Sequence, residues 1–343
     1  MQKKRVTIYD IARALNVSAS YISRALNDHS TISEKAKEKI KKKAAELNYK
    51  HNSLVANLRQ GGSKLLGVIV PLINQRFFSD TISGIEEICS DKNYSLLICQ
   101  SHENFSKEVH AVDTLIKQNV EGILISVSSE TNSSDHLQNV LSHDIELIQF
   151  DRCLDELESI KVENNNLEIS YKVTKNIIES GYDKIAFLGG PNHLSTFKNR
   201  KDGFLKAIKE FNLPIPFNFI QEDLLLPENS YKVARELLLL KDPPNAFLTV
   251  SDHQSLAILR LANELQIDVP NDLAIFGFAN EDFTTITNPF LSSVDQKSKE
   301  LGRQAALAFF AKTNIERAKG EKIEPIIVES EIIVRQSSTK LLV

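Results

Sequence analysis

Ile8, Ile11, Ala12 and Leu15 recur at the spacing of one helical face, with Thr7 in N-cap position and Asp10 near the positive end of the helix dipole. Asn16 and Val17 interrupt the pattern. Ser18 then opens a second helix that turns Ile22, Ala25 and Leu26 inward, and Ser33 caps a third that packs through Ala36, Ile40, Ala44 and Leu47. Three short helices, the first two joined by a tight turn, predict a helix-turn-helix. Beyond residue 64 the period changes. "LLGVIVP", "SLLICQ", "GILISV", "ELIQFD", "KIAFLGG", "AFLTVS" and "LAIFGF" are short β-rich apolar runs separated by helical stretches such as "SDTISGIEEICSDKN" and "QSLAILRLANELQ". Near-continuous apolar strands alternating with helices predict parallel sheets covered on both faces. The units exceed one sheet, and "SIKVENNNLEISY" and "PFLSSVDQKS" read as places where the chain passes between two. "KIEPIIVESEIIVRQ" reads as the last strand. The expected fold is a small all-α headpiece joined by a hinge helix to an α/β body of two Rossmann-like lobes.

The second helix carries an unusual outer face. Ser18, Ala19, Ser20, Tyr21, Ser23 and Arg24 are short or polar, as a helix laid in the major groove of DNA requires if it is to approach base edges closely. A serine-rich helix in a small bundle would show the same residues without that role. Downstream, Asn52 is a fair N-cap for "SLVANL", barely two turns long and far below the roughly 12 residues at which isolated helices become marginally stable. Two copies brought together on DNA could bury Leu54, Val55 and Leu58 against each other, so this hinge is expected to order only in a dimer on a duplex.

Charge strengthens the DNA reading. The net formal charge of −4 divides unevenly: residues 1–64 hold 14 Lys+Arg against 5 Asp+Glu, and the remainder 27 against 40. A basic head on an acidic body suggests a nucleic-acid-binding arm on a domain with another task, although "KAKEKIKKKAAEL" alone would read as a solvated helix face. Cys89, Cys99 and Cys153 are too few and too scattered for a disulfide framework or a zinc site and read as buried thiols. No apolar stretch reaches the length of a signal peptide or a membrane span, so a cytoplasmic location is expected.

Catalysis finds little support. Gly189 and Gly190 follow a strand, but no phosphate-binding glycine fingerprint, metal-ligand histidine cluster or serine elbow accompanies them, and no cofactor is expected. A solute-binding protein for transport would share the lobes but would need an export signal and no basic head. In open α/β sheets ligands bind outside the carboxyl ends of the strands. Those ends offer Phe77, Phe78, Asp151, Arg152, Thr196, Arg200, Ser251, Asp252 and Asn280. An aromatic pair there could stack on a sugar ring or base, or could simply begin a core-packed helix.

The run "TIYDIARALNVSASYISRALNDHSTISEKAKEKIKKKAAELNY", with its T-x-x-D-I-A start, V-S at the turn and S-R-x-L-N on the second helix, resembles the headpiece of LacI-family transcription regulators, and "HNSLVANLRQG" is similar to that family's hinge. Residues 65 to about 335 resemble the family's type I periplasmic-binding fold. The resemblance implies that Ala19, Ser20 and Arg24 face bases while Ser18, Tyr21, Ser23 and Asn27 lie near phosphates. Thr7 and Asn52 join that DNA-binding set, Leu58 is a minor-groove wedge and Arg59 sits near the backbone. It also places Asp151 and Arg200 against effector hydroxyls or carboxylates. Two departures stand out. His51 occupies the position where the family usually has proline, and Gly277, Phe278, Ala279 and Asn280 replace the common G-[FY]-D-[DN], removing a carboxylate and leaving a carbohydrate, a sugar acid or phosphate, or a nucleobase open as effector.

These features imply a headpiece over residues 1–51, a hinge and linker over 52–64, and a two-lobed effector-binding and dimerisation domain over 65–343. The expected protein is a homodimeric repressor of a pseudo-palindromic operator, switched by a small molecule, a sugar or sugar derivative, held between the lobes. No leucine-heptad tail follows the last strand, so tetramers are not expected.

Overall fold

The computed structural model describes residues 6–49, 62–312 and 324–340, and the chain divides into two compact units, residues 1–63 and 64–343. In the first, α1 (Ile8–Leu15), α2 (Ala19–Leu26) and α3 (Glu34–Glu46) close around Ile11, Ile22, Ala25, Ile32 and Ile40. Thr7 donates to Asp10 Oδ2 from both its backbone N–H (2.8 Å) and its hydroxyl (2.7 Å), tying the start of α1 to its first turn. Asn16 takes a left-handed φ of 54° and ends α1, which lets Ser18 begin α2 directly. Ser33 stands in N-cap position on α3, but its hydroxyl makes no capping bond, contrary to the capping role expected of it. The hinge residues Asn52, Leu54, Val55, Leu58 and Arg59 lie outside the described residues.

The second unit begins with β1 (Leu65–Val70), α4 (Arg76–Asp91), β2 (Ser95–Gln100), α5 (Phe105–Lys117), β3 (Gly122–Ile125), α6 (Asp135–Ser142), β4 (Glu146–Phe150) and β5 (Ile160–Asn164). It crosses to a second lobe as α7 (Asn166–Glu179), β6 (Ile185–Leu188), α8 (Ser195–Glu210), β7 (Ile220–Gln221), α9 (Pro227–Leu238), β8 (Ala246–Thr249), α10 (Asp252–Glu264), β9 (Ala274–Phe278) and β10 (Ser292–Asp295). The chain returns through α11 (Ser298–Lys312) and β11 (Ile326–Val328), then ends in the second lobe with β12 (Glu331–Ile333). The sheets run β11-β5-β4-β3-β1-β2 and β12-β10-β9-β8-β6-β7. Among the described residues every pairing is parallel except β10 with β12.

Burial follows from this layering. Central strands such as β3 and β8 are buried along their whole length, as helices on both faces demand, whereas β2 lies at an edge and leaves Ile98 exposed and Cys99 half-buried. Of the three thiols expected to be buried, only Cys89 and Cys153 are. Two helix pairs pack at very short range. A Cβ placed on Gly302 of α11 would stand 2.0 Å from the Thr81 carbonyl oxygen of α4, and one on Gly203 of α8 would stand 2.2 Å from that of Leu167 on α7. Glycine is required at both places because the neighbour is backbone and cannot yield.

The segment "KIEPIIVESEIIVRQ" is not one strand. Its two apolar triplets belong to different sheets, with Glu329 and Ser330 forming a third crossing between the lobes. The Ser330 N–H donates to Asn165 Oδ1 at 3.0 Å. Asn164 then joins all three crossings, since its Nδ2 donates to the Gln296 carbonyl at 2.8 Å and to the Val328 carbonyl at 3.0 Å.

Candidate functional site

The second helix of the headpiece presents the face its sequence suggested. Ser18, Ser20, Arg24 and Asn27 are exposed, as is Thr7 ahead of α1. Ser18 Oγ caps α2 by accepting from the Tyr21 N–H at 3.2 Å and lies 3.0 Å from Ser20 Oγ. Asn27 folds back, donating from Nδ2 to the Ser23 carbonyl at 2.9 Å. Ala19, Tyr21 and Ser23 are half-buried, and Ala19 and Tyr21 also pack against the core, so they divide their surface between the fold and the outer face. Arg13, Lys37, Lys41 and Lys43 each pair with a carboxylate, while Arg24 makes no ion pair with the described residues. Its planar fork of donors stays available on an exposed helix face.

A second site lies between the two lobes. About 680 Å³ of empty space, its mouth included, is lined by Phe77, Phe78 and Asp151 of the first lobe and by Thr196, Arg200 and Ser251 of the second. Phe77 and Phe78 begin α4 and meet edge to face, centroids 5.1 Å apart, so both serve the core and both reach the cavity wall. Asp151 follows β4 with a left-handed φ of 57°. Burial raises its carboxyl above the usual range, and the guanidinium groups of Arg152 and Arg200 pull the other way.

Arg200 projects from α8 and is only 3% exposed. Its Nε donates to Asn166 Oδ1 and its Nη1 to the Val250 carbonyl, each at 2.9 Å, and its guanidinium carbon sits 4.2 Å from the Phe278 ring centroid. A surface ion pair with Asp202 or Glu228 is not what it forms. Burial pushes Arg200 down to about 10, against the attraction of Asp151. Thr196 donates its hydroxyl to the Asp151 carbonyl, a direct link between lobes. Ser251 caps α10 and faces the cavity with its remaining surface.

Two residues grouped with these by sequence do not line the cavity. Asp252 is fully buried below it, where its carboxylate accepts from Ser293 Oγ at 2.7 and 2.9 Å and from the Glu281 N–H at 2.9 Å. Burial raises its pKa to about 7, with those donors opposing. Asn280 lines a neighbouring groove with Arg76 and Lys297. Positive φ angles of 111° at Ala279 and 53° at Asn280 swing the chain so that the Asn280 Oδ1 accepts from Arg335 Nη2 at 2.6 Å. Ala279 itself does line the cavity, where the family pattern would have put a carboxylate.

Sequence reasoning passed over Glu103, Phe197, His253, Glu281 and Gln296, all on the cavity wall. Phe197, His253 and Glu281 each adjoin a marked position, Thr196, Asp252 and Asn280 respectively, whereas Glu103 and Gln296, beyond the ends of β2 and β10, adjoin none.

A helix-turn-helix module with an open polar reading face, carried on a two-lobed body with a polar and aromatic cleft, defines a ligand-controlled DNA-binding regulator. The family model for bacterial regulatory proteins of the lacI family matches residues 7–52, and that for a periplasmic binding protein-like domain matches residues 174–338. The chain is 28% identical over 332 residues to the HTH-type transcriptional repressor PurR of Pasteurella multocida (strain Pm70), covering 96% of this chain and 98% of the relative. The PurR repressor of Histophilus somni (strain 2336) is 27% identical over 331 residues, with the same coverage. In fold it is similar to the lac repressor dimer bound to operator and the anti-inducer ONPF, with a TM-score of 0.84, 20% identity, and coverage of 98% of this chain and 100% of the other. The regulator CelR in complex with cellobiose matches with a TM-score of 0.73 at 20% identity over 97% and 100% of the two chains. In its headpiece match, its domain pairing and its relatives the chain is similar to LacI-family regulators. It pairs the DNA-binding headpiece of a bacterial regulatory protein with a periplasmic binding protein-like domain, and its relatives are transcriptional repressors. Among the described residues no helix is long and apolar enough to cross a membrane.

Proposed function

We propose that this repressor acts in the cytoplasm as a homodimer on a pseudo-palindromic operator, each α2 reading one half-site, and that a sugar or sugar derivative bound between the lobes switches its affinity. One observation carries the effector reading: Asp151 and Arg200, from opposite lobes, line a single cavity. A carboxylate that accepts and a guanidinium that donates together suit a ligand rich in hydroxyl groups, and they engage it at once only when the lobes are closed. Differential binding to closed and open lobes is what lets a small molecule shift the equilibrium between DNA-bound and free protein. In this reading Phe77, Phe78, Thr196 and Ser251 shape the site, while Asp252 and Asn280 support it from behind.

A planar nucleobase is the second reading, favoured by the Phe77, Phe78, Phe197 and Phe278 side chains on the cavity wall. Thermal-shift screening of the full-length protein against neutral sugars, sugar phosphates and nucleobases separates the two, with hits followed by operator-binding assays. A nucleobase hit that releases or tightens operator binding while sugars do nothing overturns the sugar reading. On the DNA side, footprinting is expected to protect two symmetry-related half-sites.

A further inference from the structure

We propose that Glu103 is a built-in anion that saturates Arg152 and so bars phosphate or carboxylate groups from that end of the cleft. This rests on the cleft reading above and narrows it: the part of the effector beside Arg152 is uncharged, a hydroxyl or carbonyl, and a sugar phosphate or sugar acid is excluded there.

Arg152 is a cavity-wall cation that an anionic ligand would be expected to seek. It is 7% exposed and follows β4, with its guanidinium carbon 5.7 Å from the Phe78 ring centroid on its own lobe and 5.2 Å from that of Phe197 on the other. Rings on two sides confine the guanidinium. Its Nη1 donates to both carboxylate oxygens of Glu103 at 2.8 Å, and Asp151 Oδ2 lies 3.9 Å from its Nε. Two carboxylates of the protein therefore already surround this cation.

Glu103 is not free to leave. Its Oε2 also accepts from the Ser129 N–H at 2.8 Å. The loop that delivers it holds both His102 and Glu103 at a φ of 56°, a left-handed conformation that side-chain-bearing residues adopt at a cost. The His102 N–H donates to the Pro71 carbonyl at 2.9 Å and keeps that turn in place. Burial works to raise the Glu103 carboxyl, but Arg152 and Ser129 outweigh it and hold it below the ordinary range, so the group is an anion at neutral pH. An incoming phosphate would have to detach this carboxylate and strand it in a largely buried place. The wall as a whole adds to the barrier, because Glu103, Asp151 and Glu281 outnumber Arg152 and Arg200.

The test needs neither DNA nor the effector. Inorganic phosphate is titrated into full-length wild type, Glu103→Gln and Glu103→Gln/Arg152→Gln at matched ionic strength, followed by calorimetry and thermal shift. Glu103→Gln keeps the size of the side chain and frees the cation. It is expected to bind phosphate saturably, with an apparent Kd about tenfold or more below any wild-type value, and the double variant is expected to lose this. Equal phosphate binding by wild type and Glu103→Gln overturns the proposal, as does no gain in a folded Glu103→Gln. Should Glu103→Gln not fold, wild type and Arg152→Gln decide: saturable phosphate binding by wild type that Arg152→Gln abolishes overturns the proposal, and its absence supports it. If the cleft is not the effector site, the failure appears elsewhere, as effector titrations that Arg200→Ala leaves unchanged while the phosphate result stands.

Discussion

Arg200 and Asn166 sit on neighbouring helices of the second lobe, joined by a 2.9 Å hydrogen bond from the arginine Nε to the asparagine Oδ1. With Nη1 spent on the Val250 carbonyl, the bond fixes the plane of the guanidinium and points it along the cavity wall over Phe278. Orientation is thus built into the fold before any ligand arrives.

Replacing Arg200 by alanine strands two buried acceptors, each worth roughly 1 to 3 kcal/mol when left unpaired. The variant is expected to be less stable, yet to bind operator normally without effector and to lose effector response. Lysine restores a charge but not the planar fork, so Arg200→Lys should recover stability better than ligand affinity. Calorimetry with the cognate effector, beside operator binding with and without it, checks this. Full ligand affinity and full switching in the alanine variant would place Arg200 outside the site.

Arg24 is exposed on α2 and unpaired among the described residues. Arg24→Ala should cost roughly 1 to 3 kcal/mol of discrimination at one base pair of each half-site, because arginine's paired donors match the acceptors of guanine. Binding to operator and to random DNA is compared. Equal weakening on both would show a phosphate contact instead.

Salt dependence reports the headpiece charge as a whole. If about five to eight phosphates are neutralised per dimer, log K against log[salt] falls with a slope of about −0.9 for each. Because several headpiece cations already face carboxylates, the slope should stay below what a simple count of Lys and Arg suggests. Operator affinity measured over a salt series supplies the number.

Gly302→Ala forces a methyl group into the Thr81 carbonyl, where α4 and α11 meet. Overpacking usually costs about 1 to 3 kcal/mol, and a rigid backbone neighbour puts this substitution at the upper end. Urea unfolding should show a lower midpoint. An unchanged midpoint would mean that the two helices are not in such close contact.

Asp252 titrates near 7 when folded against an ordinary value of 3.8. Between those values the folded state holds a proton that the unfolded chain has released, so the contribution of Asp252 to stability falls as pH rises through this window and is constant above it. Asp252→Asn removes the titration. The unfolding free energy of the variant minus that of wild type should therefore grow from about pH 4 to about pH 7 and then level off. A flat difference would show that Ser293 and the Glu281 N–H keep the carboxylate ionised throughout.

Local periodicity and capping were enough to read the headpiece helices, because each apolar face there closes over neighbours near in sequence. The alternation of strands and helices likewise announced two parallel-sheet lobes, since strands covered on both faces must be apolar throughout. Strand order, the crossing at Glu329 and Ser330, and the joining of three crossings by Asn164 came only with the tertiary structure, because they depend on pairings between distant segments. The cleft divides in the same way. Asp151 stands at a strand end and Arg200, inside α8, is singled out by the family resemblance, but Glu103, which satisfies Arg152, stands 49 residues before it. Asp252 and Asn280 occupy strand-end positions like the others, but Asp252 turns inward to Ser293 and the Glu281 N–H, and positive φ angles at Ala279 and Asn280 swing Asn280 into the neighbouring groove. A sequence of residue types says which groups a segment offers. Which of them share one enclosed space, and which are already paired, is decided by backbone angles and long-range contacts that no local pattern encodes.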